Sequence, residues 1–148
     1  MKIPLFIRQR YGHLAAYAYT TIIKQRLRPS KFYSLVDIGS PWTVITPSGA
    51  HILKISTKTL SLPSDYPTIT FAGLTFKRYM LKNVNIILSD GKSNIISFPT
   101  KQVGVLEPTK KTDLTKFPEQ LLIGCDFLED NNLGLYFNPN NNVAYLQK

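Results

Sequence analysis

The sequence has few of the residues from which disulfides, metal sites and membrane spans are built. It contains one cysteine, Cys125, and two separated histidines, His13 and His51. An internal disulfide is therefore excluded, and a structural zinc site is not predicted. No apolar run reaches the roughly 18 residues that a membrane helix needs, and the N-terminal apolar stretch is too short for a secretory signal. We therefore expect no metal, no cofactor, no membrane contact and a cytoplasmic location.

Acidic residues are scarce as well. Lys and Arg number 18 against nine Asp and Glu, which gives a net charge of +9, and no acid precedes Asp37. Such asymmetry is found in proteins that bind nucleic acids, but none of their motifs accompanies it here. Lys and Arg on exposed strands also discourage edge-to-edge association. A nucleic-acid partner therefore stays open as an alternative and is not favoured.

What the sequence does contain is a series of short β-type segments. Runs of β-branched and aromatic residues are separated by turn residues, which predicts an all-β fold. The predicted strands cover residues 3–7, 15–23, 32–36, 44–45, 68–71, 75–80, 84–88, 95–98, 103–106, 121–124, 133–137 and 143–146. Asp90 and Gly91 favour a tight hairpin turn, and residues 107–119 a loop.

Helical signals are few. Thr46 followed by Pro47 predicts the start of a short helix that ends near Leu53, because Thr caps a helix and Pro suits its first turn. Residues 126–131 predict one or two further helical turns. No repeat or linker divides the chain, so residues 1–148 are expected to form a single domain.

One carboxylate occupies an unusual position, at the end of an apolar strand. Asp37 directly follows the predicted strand 32–36 and precedes Gly39. A carboxylate there is costly unless it is solvated, caps backbone groups or has a chemical role. A turn-forming Asp before a Gly is the simple alternative. The second informative segment, residues 121–129, predicts a buried strand that turns into a helix.

In this order and spacing, the two segments resemble those of the retropepsin-like aspartic proteases. The signature of that family is an apolar strand, then Asp-Thr/Ser-Gly-Ala/Ser, then an apolar pair. Here it stands as Leu35-Val36-Asp37-Ile38-Gly39-Ser40, followed by Val44-Ile45. Roughly 80 residues later, Leu122-Ile123-Gly124 leads into the predicted helix, as an equivalent segment does in the family. The resemblance spans about residues 32 to 146.

The resemblance implies an all-β, single-domain acid-protease barrel with one short helix near the C-terminus. It also implies an aspartic endopeptidase that acts on peptide or protein substrates. Two carboxylates that share one proton perform that reaction, so a chain with one motif must act as a homodimer in which two copies of Asp37 meet. The implied site consists of the catalytic Asp37, the active-site loop Ile38, Gly39 and Ser40, the flap Phe71, Ala72, Gly73 and Leu74, and the supporting strand with Ile123 and Gly124.

Ile38 departs from the family pattern. The family has Thr or Ser there, and its hydroxyl bonds across the dimer, whereas Ile38 has similar branching but no donor. A less firmly held pair of carboxylates is therefore expected. Two other functions stay open: a catalytically weak binding or regulatory module on the same fold, and a basic β-barrel that binds nucleic acid through its N-terminal third.

Overall fold

A computed structural model describes residues 1–89, 92–110 and 118–148. Its eleven strands in this part of the chain are Lys2–Pro4 (β1), Phe6–Arg10 (β2), His13–Ile23 (β3), Ser30–Val36 (β4), Val44–Ile45 (β5), Thr68–Phe71 (β6), Leu74–Ser89 (β7), Ile95–Pro108 (β8), Leu121–Ile123 (β9), Gly134–Asn138 (β10) and Val143–Gln147 (β11). The helices are Pro47–Leu53 (α1) and Cys125–Asp130 (α2), with 3₁₀ turns at Thr57–Thr59 and Pro139–Asn141. The all-β prediction is confirmed, including the short helix near the C-terminus.

Eight strands form one sheet, in the order β2-β3-β4-β9-β5-β8-β7-β6. Strand β3 pairs with β4 and, through Tyr19 to Ile23, also with β7, so the sheet curls back on itself. Strands β7 and β8 are 16 and 14 residues long and pair along nearly their whole length. Each was predicted as two shorter strands, and that division is wrong. Asn83 has a left-handed backbone (φ 55°), but pairing resumes in the same register at Val84, so this polar residue interrupts the pattern without ending the strand.

The two ends of the chain lie together in a second, three-stranded sheet of order β1-β11-β10. Ile3 pairs with Leu146, and both side chains are buried. The predicted final hairpin is confirmed as the antiparallel pair β10 and β11. The predicted strand 3–7, by contrast, is divided between the two sheets at Leu5, whose N–H donates to the carbonyl of Ala144 (2.9 Å).

Strand β9 lies between the two strands that flank Asp37. It pairs in parallel with β4, through Val36 and Ile123, and antiparallel with β5, through Val44 and Leu122. The three residues of β9 are at most 1% exposed, which confirms the prediction of a strand buried on both faces. The loop from β4 to β5 therefore crosses the end of β9, and this crossing places Asp37.

Helix α1 follows β5 and begins as predicted. Thr46 caps it by accepting a hydrogen bond from the N–H of Gly49 (3.3 Å), and Pro47 lies in the first turn. The predicted turn residues Asp90 and Gly91, and residues 111–117 of the predicted loop, lie outside the described residues. None of the helices in the described part of the chain has the length and apolar character required to cross a membrane.

Candidate functional site

Asp37 is the first residue of the loop that joins β4 to β5. Its N–H donates to the carbonyl of Ile123 (2.9 Å), and its carbonyl accepts from the N–H of Ser40 (3.1 Å). Its side-chain Oδ1 accepts from the N–H of Gly39 (2.9 Å). A Cβ on Gly39 would lie 3.1 Å from this oxygen, so a larger residue would crowd the carboxylate. Asp37 therefore forms the turn that the simple alternative expected, and the turn also fixes the orientation of a half-buried carboxylate.

The segment around Gly124 supports this loop from below. The N–H of Cys125 donates to the carbonyl of Ser40 (2.9 Å), and its thiol donates to the carbonyl of Ile38 (3.1 Å). A Cβ on Gly124 would lie 2.5 Å from the carbonyl carbon and oxygen of Trp42. Only glycine allows the two backbones to approach this closely. Ile123, at the end of β9, and Gly124, which immediately precedes α2, thus lie against the Asp37 loop.

Asp126 has a structural role that was not predicted from the sequence. Its Oδ1 accepts from the N–H (2.8 Å) and the hydroxyl (2.7 Å) of Thr43 and from the N–H of Phe127 (2.7 Å). The Thr43 hydroxyl accepts in turn from the N–H of Gly124 (3.0 Å). An acidic residue in the first turn of a helix was the available signal. The Asp126 carboxylate thus anchors the far end of the Asp37 loop.

Asp37 lies where two clefts meet. One, of about 320 Å³, separates the Asp37 loop from the β6–β7 hairpin, and its wall includes Gly39, Ser40, Trp42, Tyr66, Ile69 and Phe71. The other, of about 430 Å³, faces β2 and β3, and its wall includes Arg10, Leu14, Leu35, Ile38 and Phe137. Among the described residues on these walls, Asp37 is the single acid.

The hairpin beside the first cleft has a two-residue turn. Phe71 and Leu74 pair directly, and Ala72 and Gly73 between them have φ angles of 49° and 75°. A tight hairpin turn requires such positive angles. Phe71 and Leu74 also pack against a buried cluster that includes Leu35 and Leu122. Of the four predicted flap residues, only Phe71 lines the cleft with Asp37.

A buried acid near the hairpin was not predicted either. Glu119 is 2% exposed, forms an ion pair with Arg10 and accepts a hydrogen bond from the hydroxyl of Tyr17 (3.2 Å). Burial, together with the negative charge of Glu119 and this hydrogen bond, raises the pKa of Tyr17 to about 12. The pKa of Arg10 is raised too: burial alone would lower it, and the pairing with Glu119 outweighs that effect. Arg10, Tyr17 and Glu119 thus connect β2, β3 and the segment before β9 at the edge of the site.

Comparison with known proteins identifies the fold. No sequence-family model matches the chain, and no curated protein matches it in sequence. In structure, the chain is similar to a retropepsin-like aspartic protease from Rickettsia conorii, with a TM-score of 0.54 and 17% identity over 99% of this chain and 89% of that one. It is also similar to the retroviral protease-like domain of Ddi1 from Leishmania major (TM-score 0.46, 13% identity, 88% of this chain and 94% of that one). The Rickettsia likeness confirms the retropepsin-like fold that the two motifs predicted.

Proposed function

We propose that this chain, which has the retropepsin-like fold, is an aspartic endopeptidase whose active site forms between two copies of the chain. The position of Asp37 carries the proposal. Its carboxylate is oriented by its own turn, backed by β9 and open to a cleft that the β6–β7 hairpin borders. The retropepsin-like fold of the chain supports the same function.

The second carboxylate has to come from another copy. Within the described residues, the walls of both clefts hold no acid besides Asp37. Asp126, the nearest acid in the supporting segment, already accepts three hydrogen bonds that hold the loop. A two-fold axis beside Asp37 would bring two identical carboxylates together.

The surface beside Asp37 suits such a contact. Ile38 is 63% exposed, and Leu14 and Phe137, on the wall of the same cleft, are 46% and 38% exposed. Apolar side chains that cluster on a surface and surround a functional group are typical of an interface. In the proposed dimer, the second copy covers Ile38 and so removes this apolar surface from water.

The chemistry follows from the shared proton. Two carboxylates about 3 Å apart cannot both ionise readily, so the pair loses its protons in two separate steps and holds one shared proton between them. The ionised carboxylate takes a proton from a water molecule while the oxygen of that water attacks the carbonyl carbon of the peptide. The protonated carboxylate donates its proton to the carbonyl oxygen. The tetrahedral intermediate then collapses as the amine leaves with a proton from the pair. A hairpin closed over the substrate would keep bulk water out during these steps.

A substitution at the carboxylate tests the reaction. Asp37→Asn keeps the size of the side chain and removes its acid group, so peptide cleavage should be lost across pH roughly 3 to 7, where such pairs change protonation. Asp130→Asn is the matched control, because Asp130 is an exposed acid at the end of α2, and this variant should cleave like the wild type. Equal activity of the Asp37→Asn variant and the wild type would refute the proposal.

A mixing experiment tests whether two chains share the site. Excess Asp37→Asn protein is added to a fixed amount of wild type and equilibrated. If the carboxylates come from two chains, mixed dimers with one carboxylate form and cleavage falls steeply. If a single chain is sufficient, the rate stays constant, and the shared site is wrong even though the protein is a protease.

Ile38 favours one alternative, a binding module without efficient catalysis. Its side chain cannot donate a hydrogen bond across the two-fold axis, so the carboxylates would be less firmly held. Such a module would bind peptides at the same cleft and release them intact. Peptide binding by both wild type and Asp37→Asn, with cleavage by neither, would support it.

A further inference from the structure

A buried cation lies beneath the wall of the Asp37 cleft and has no part in the proposed reaction. Arg78, in β7, is 6% exposed, and no carboxylate of the described residues forms an ion pair with it. Its Nε donates to the carbonyl of Tyr66 (3.2 Å) and its Nη2 to the carbonyl of Asp65 (3.3 Å). Burial lowers the pKa of Arg78, and the negative charge of Asp126 partly opposes this. Burying a guanidinium without a carboxylate partner costs free energy, which indicates a role of Arg78 in the site.

Arg78 contacts the ring of Trp42, which in turn lies beside the ring of Tyr66. The guanidinium carbon lies 4.4 Å from the centre of the Trp42 ring, within the range of a cation–π interaction. The centre of the Tyr66 ring lies 5.3 Å from that of Trp42, at a tilt of 47°. Arg78 thus contacts both aromatic residues: it lies over the ring of Trp42 and donates a hydrogen bond to the backbone carbonyl of Tyr66.

The surrounding backbone accommodates this arrangement. A Cβ on Gly104 would lie 2.9 Å from the Cγ of Arg78 and 2.8 Å from a methyl carbon of Val44, so glycine leaves the room that the arginine occupies. Tyr66 has a φ of 50°, which is uncommon for a residue with a side chain. The residue is 68% exposed and lines the cleft. An exposed tyrosine on a constrained backbone in the wall of a cleft is available to a ligand.

We infer that Trp42 and Tyr66 form a subsite for a large aromatic or apolar side chain of the substrate, and that Arg78 is the positioning residue that holds the two rings. This rests on the proposed function. Trp42, Tyr66 and Asp37 line the same cleft, together with Ile69, Phe71 and Leu122. The described wall contains no Lys or Arg, so it suits an apolar side chain better than an acidic one. Aromatic side chains also gain from offset or edge contacts with Trp and Tyr.

The test uses the tryptophan itself. Trp42 is the single tryptophan of the chain, so its fluorescence reports on this subsite alone. The probes are a series of alanine peptides in which one peptide bond is reduced, so that it cannot be cleaved. Each peptide of the series has a single Phe at a different position. At one position, Phe should change the Trp42 emission and tighten binding about tenfold over alanine, which corresponds to about 1.4 kcal/mol. A Phe that binds no better than alanine at every position would overturn the inference.

Three variants separate the subsite from general damage. Tyr66→Ala removes an exposed ring and should reduce the preference for Phe severalfold, whereas Tyr33→Ala, at another exposed tyrosine, should leave it unchanged. Arg78→Met keeps the length of the side chain but loses the charge and the bonds to Asp65 and Tyr66. It should lower the same preference through KM and shift the Trp42 emission before any peptide is added. If Arg78→Met does not fold, Tyr66→Ala decides.

The subsite and the protease activity fail in different ways. If the wild type cleaves peptides and Tyr66→Ala keeps the full preference for Phe, the subsite is wrong and the proposed function stands. If the reduced Phe peptide binds and changes the Trp42 emission but no peptide is cleaved, the subsite is supported and the proposed function fails.

Discussion

The guanidinium of Arg10 and the carboxylate of Glu119 form the one ion pair found among residues 1–89, 92–110 and 118–148. Nε of Arg10 contacts Oε1 of Glu119, while Nη2 and Oε2 are both buried without a partner. Side-by-side pairing of arginine with a carboxylate uses these same two nitrogens and both oxygens, so a small rotation would join the two unpaired atoms. The Arg10 guanidinium also lies 5.8 Å from the ring of Phe71, near the tip of the β6–β7 hairpin.

Glu119→Gln should destabilise the fold. The substitution leaves Arg10 without its counter-charge in a site where the side chain of the acid is 1% exposed, and breaking a buried pair typically costs about 3 kcal/mol. We expect the free energy of unfolding, measured by urea titration, to fall by about 2–3 kcal/mol, since Arg10 is itself 20% exposed. Glu129→Gln, at an exposed acid in α2, should change it by less than about 0.5 kcal/mol. Equal effects of the two substitutions would show that the ion pair contributes nothing.

Tyr17 should make the fold sensitive to high pH. Its pKa is raised to about 12 in the fold against an ordinary value near 10, so the unfolded chain loses this proton first. The contribution of Tyr17 to the free energy of unfolding is therefore fully present below about pH 10 and is lost as the pH rises towards 12. Unfolding titrations of wild type and Tyr17→Phe should diverge in this range. Absorbance titration should show Tyr17 ionising later than an ordinary tyrosine. In Glu119→Gln this ionisation should come earlier, because the charge of Glu119 no longer opposes the phenolate. A Tyr17→Phe protein with the same pH profile as the wild type would contradict this.

Two glycines give a matched comparison of packing. A Cβ on Gly124 would meet the backbone of Trp42 at 2.5 Å, and backbone cannot move aside as a flexible side chain can. Gly124→Ala should therefore lower the free energy of unfolding by about 3 kcal/mol and disturb the Asp37 loop. A Cβ on Gly134 would meet its nearest neighbour at 3.8 Å, an ordinary contact, so Gly134→Ala should be neutral or slightly stabilising. Urea titration measures both, and a neutral Gly124→Ala would mean that the two backbones can separate freely.

Ile38→Thr should increase the cleavage rate more than the stability. Ile38 is 63% exposed in the single chain, so its substitution removes little buried surface there. Across the proposed dimer, Thr could form one hydrogen bond per chain, worth on the order of 1 kcal/mol, against about 1 kcal/mol for a lost methyl group. The melting temperature should therefore change little, while a more firmly held pair of carboxylates raises kcat.

Ile38→Val is the control for that substitution, because Val has the size and branching of Thr without its hydroxyl. Ile38→Val should cleave no faster than the wild type. If Ile38→Thr is equally slow, or dissociates into monomers at concentrations where the wild type is a dimer, then Ile38 packs across the interface in its own right. Sedimentation equilibrium at micromolar concentration distinguishes the two cases, and a wild type that cleaves as a monomer would contradict the dimer itself.

The features that sequence predicted are those encoded within a few neighbouring residues. The apolar run before Asp37, the Thr46-Pro47 helix start and the buried β9 segment each have a local pattern, and each is in the structure. The fold followed from the order and spacing of two such patterns. The hairpin was placed by the small residues Ala72 and Gly73, which interrupt the alternating pattern.

What sequence could not predict depends on contacts between distant residues. Arg10 and Glu119 are 109 positions apart, and nothing local to either indicates the other. Arg78 reads as one more exposed cation on an alternating strand, and its burial follows only from the ring of Trp42 and the space left by Gly104. Asn83 is typical of a turn, yet β7 continues through it, because β8 pairs with β7 in the same register before and after this residue.

The position of β9 between β4 and β5 also constrains when the site can form. The Asp37 loop is bonded at one end to Ile123 and at the other, through Thr43, to Asp126 and Gly124. Contacts between residues so far apart in sequence carry a high loop-closure cost and form late in folding. On the ribosome, the chain grows from its N-terminus, so Asp37 emerges long before the segment that holds it. While the ribosome adds the residues between Asp37 and Ile123, the nascent chain therefore carries Asp37 with its supporting segment still to be made.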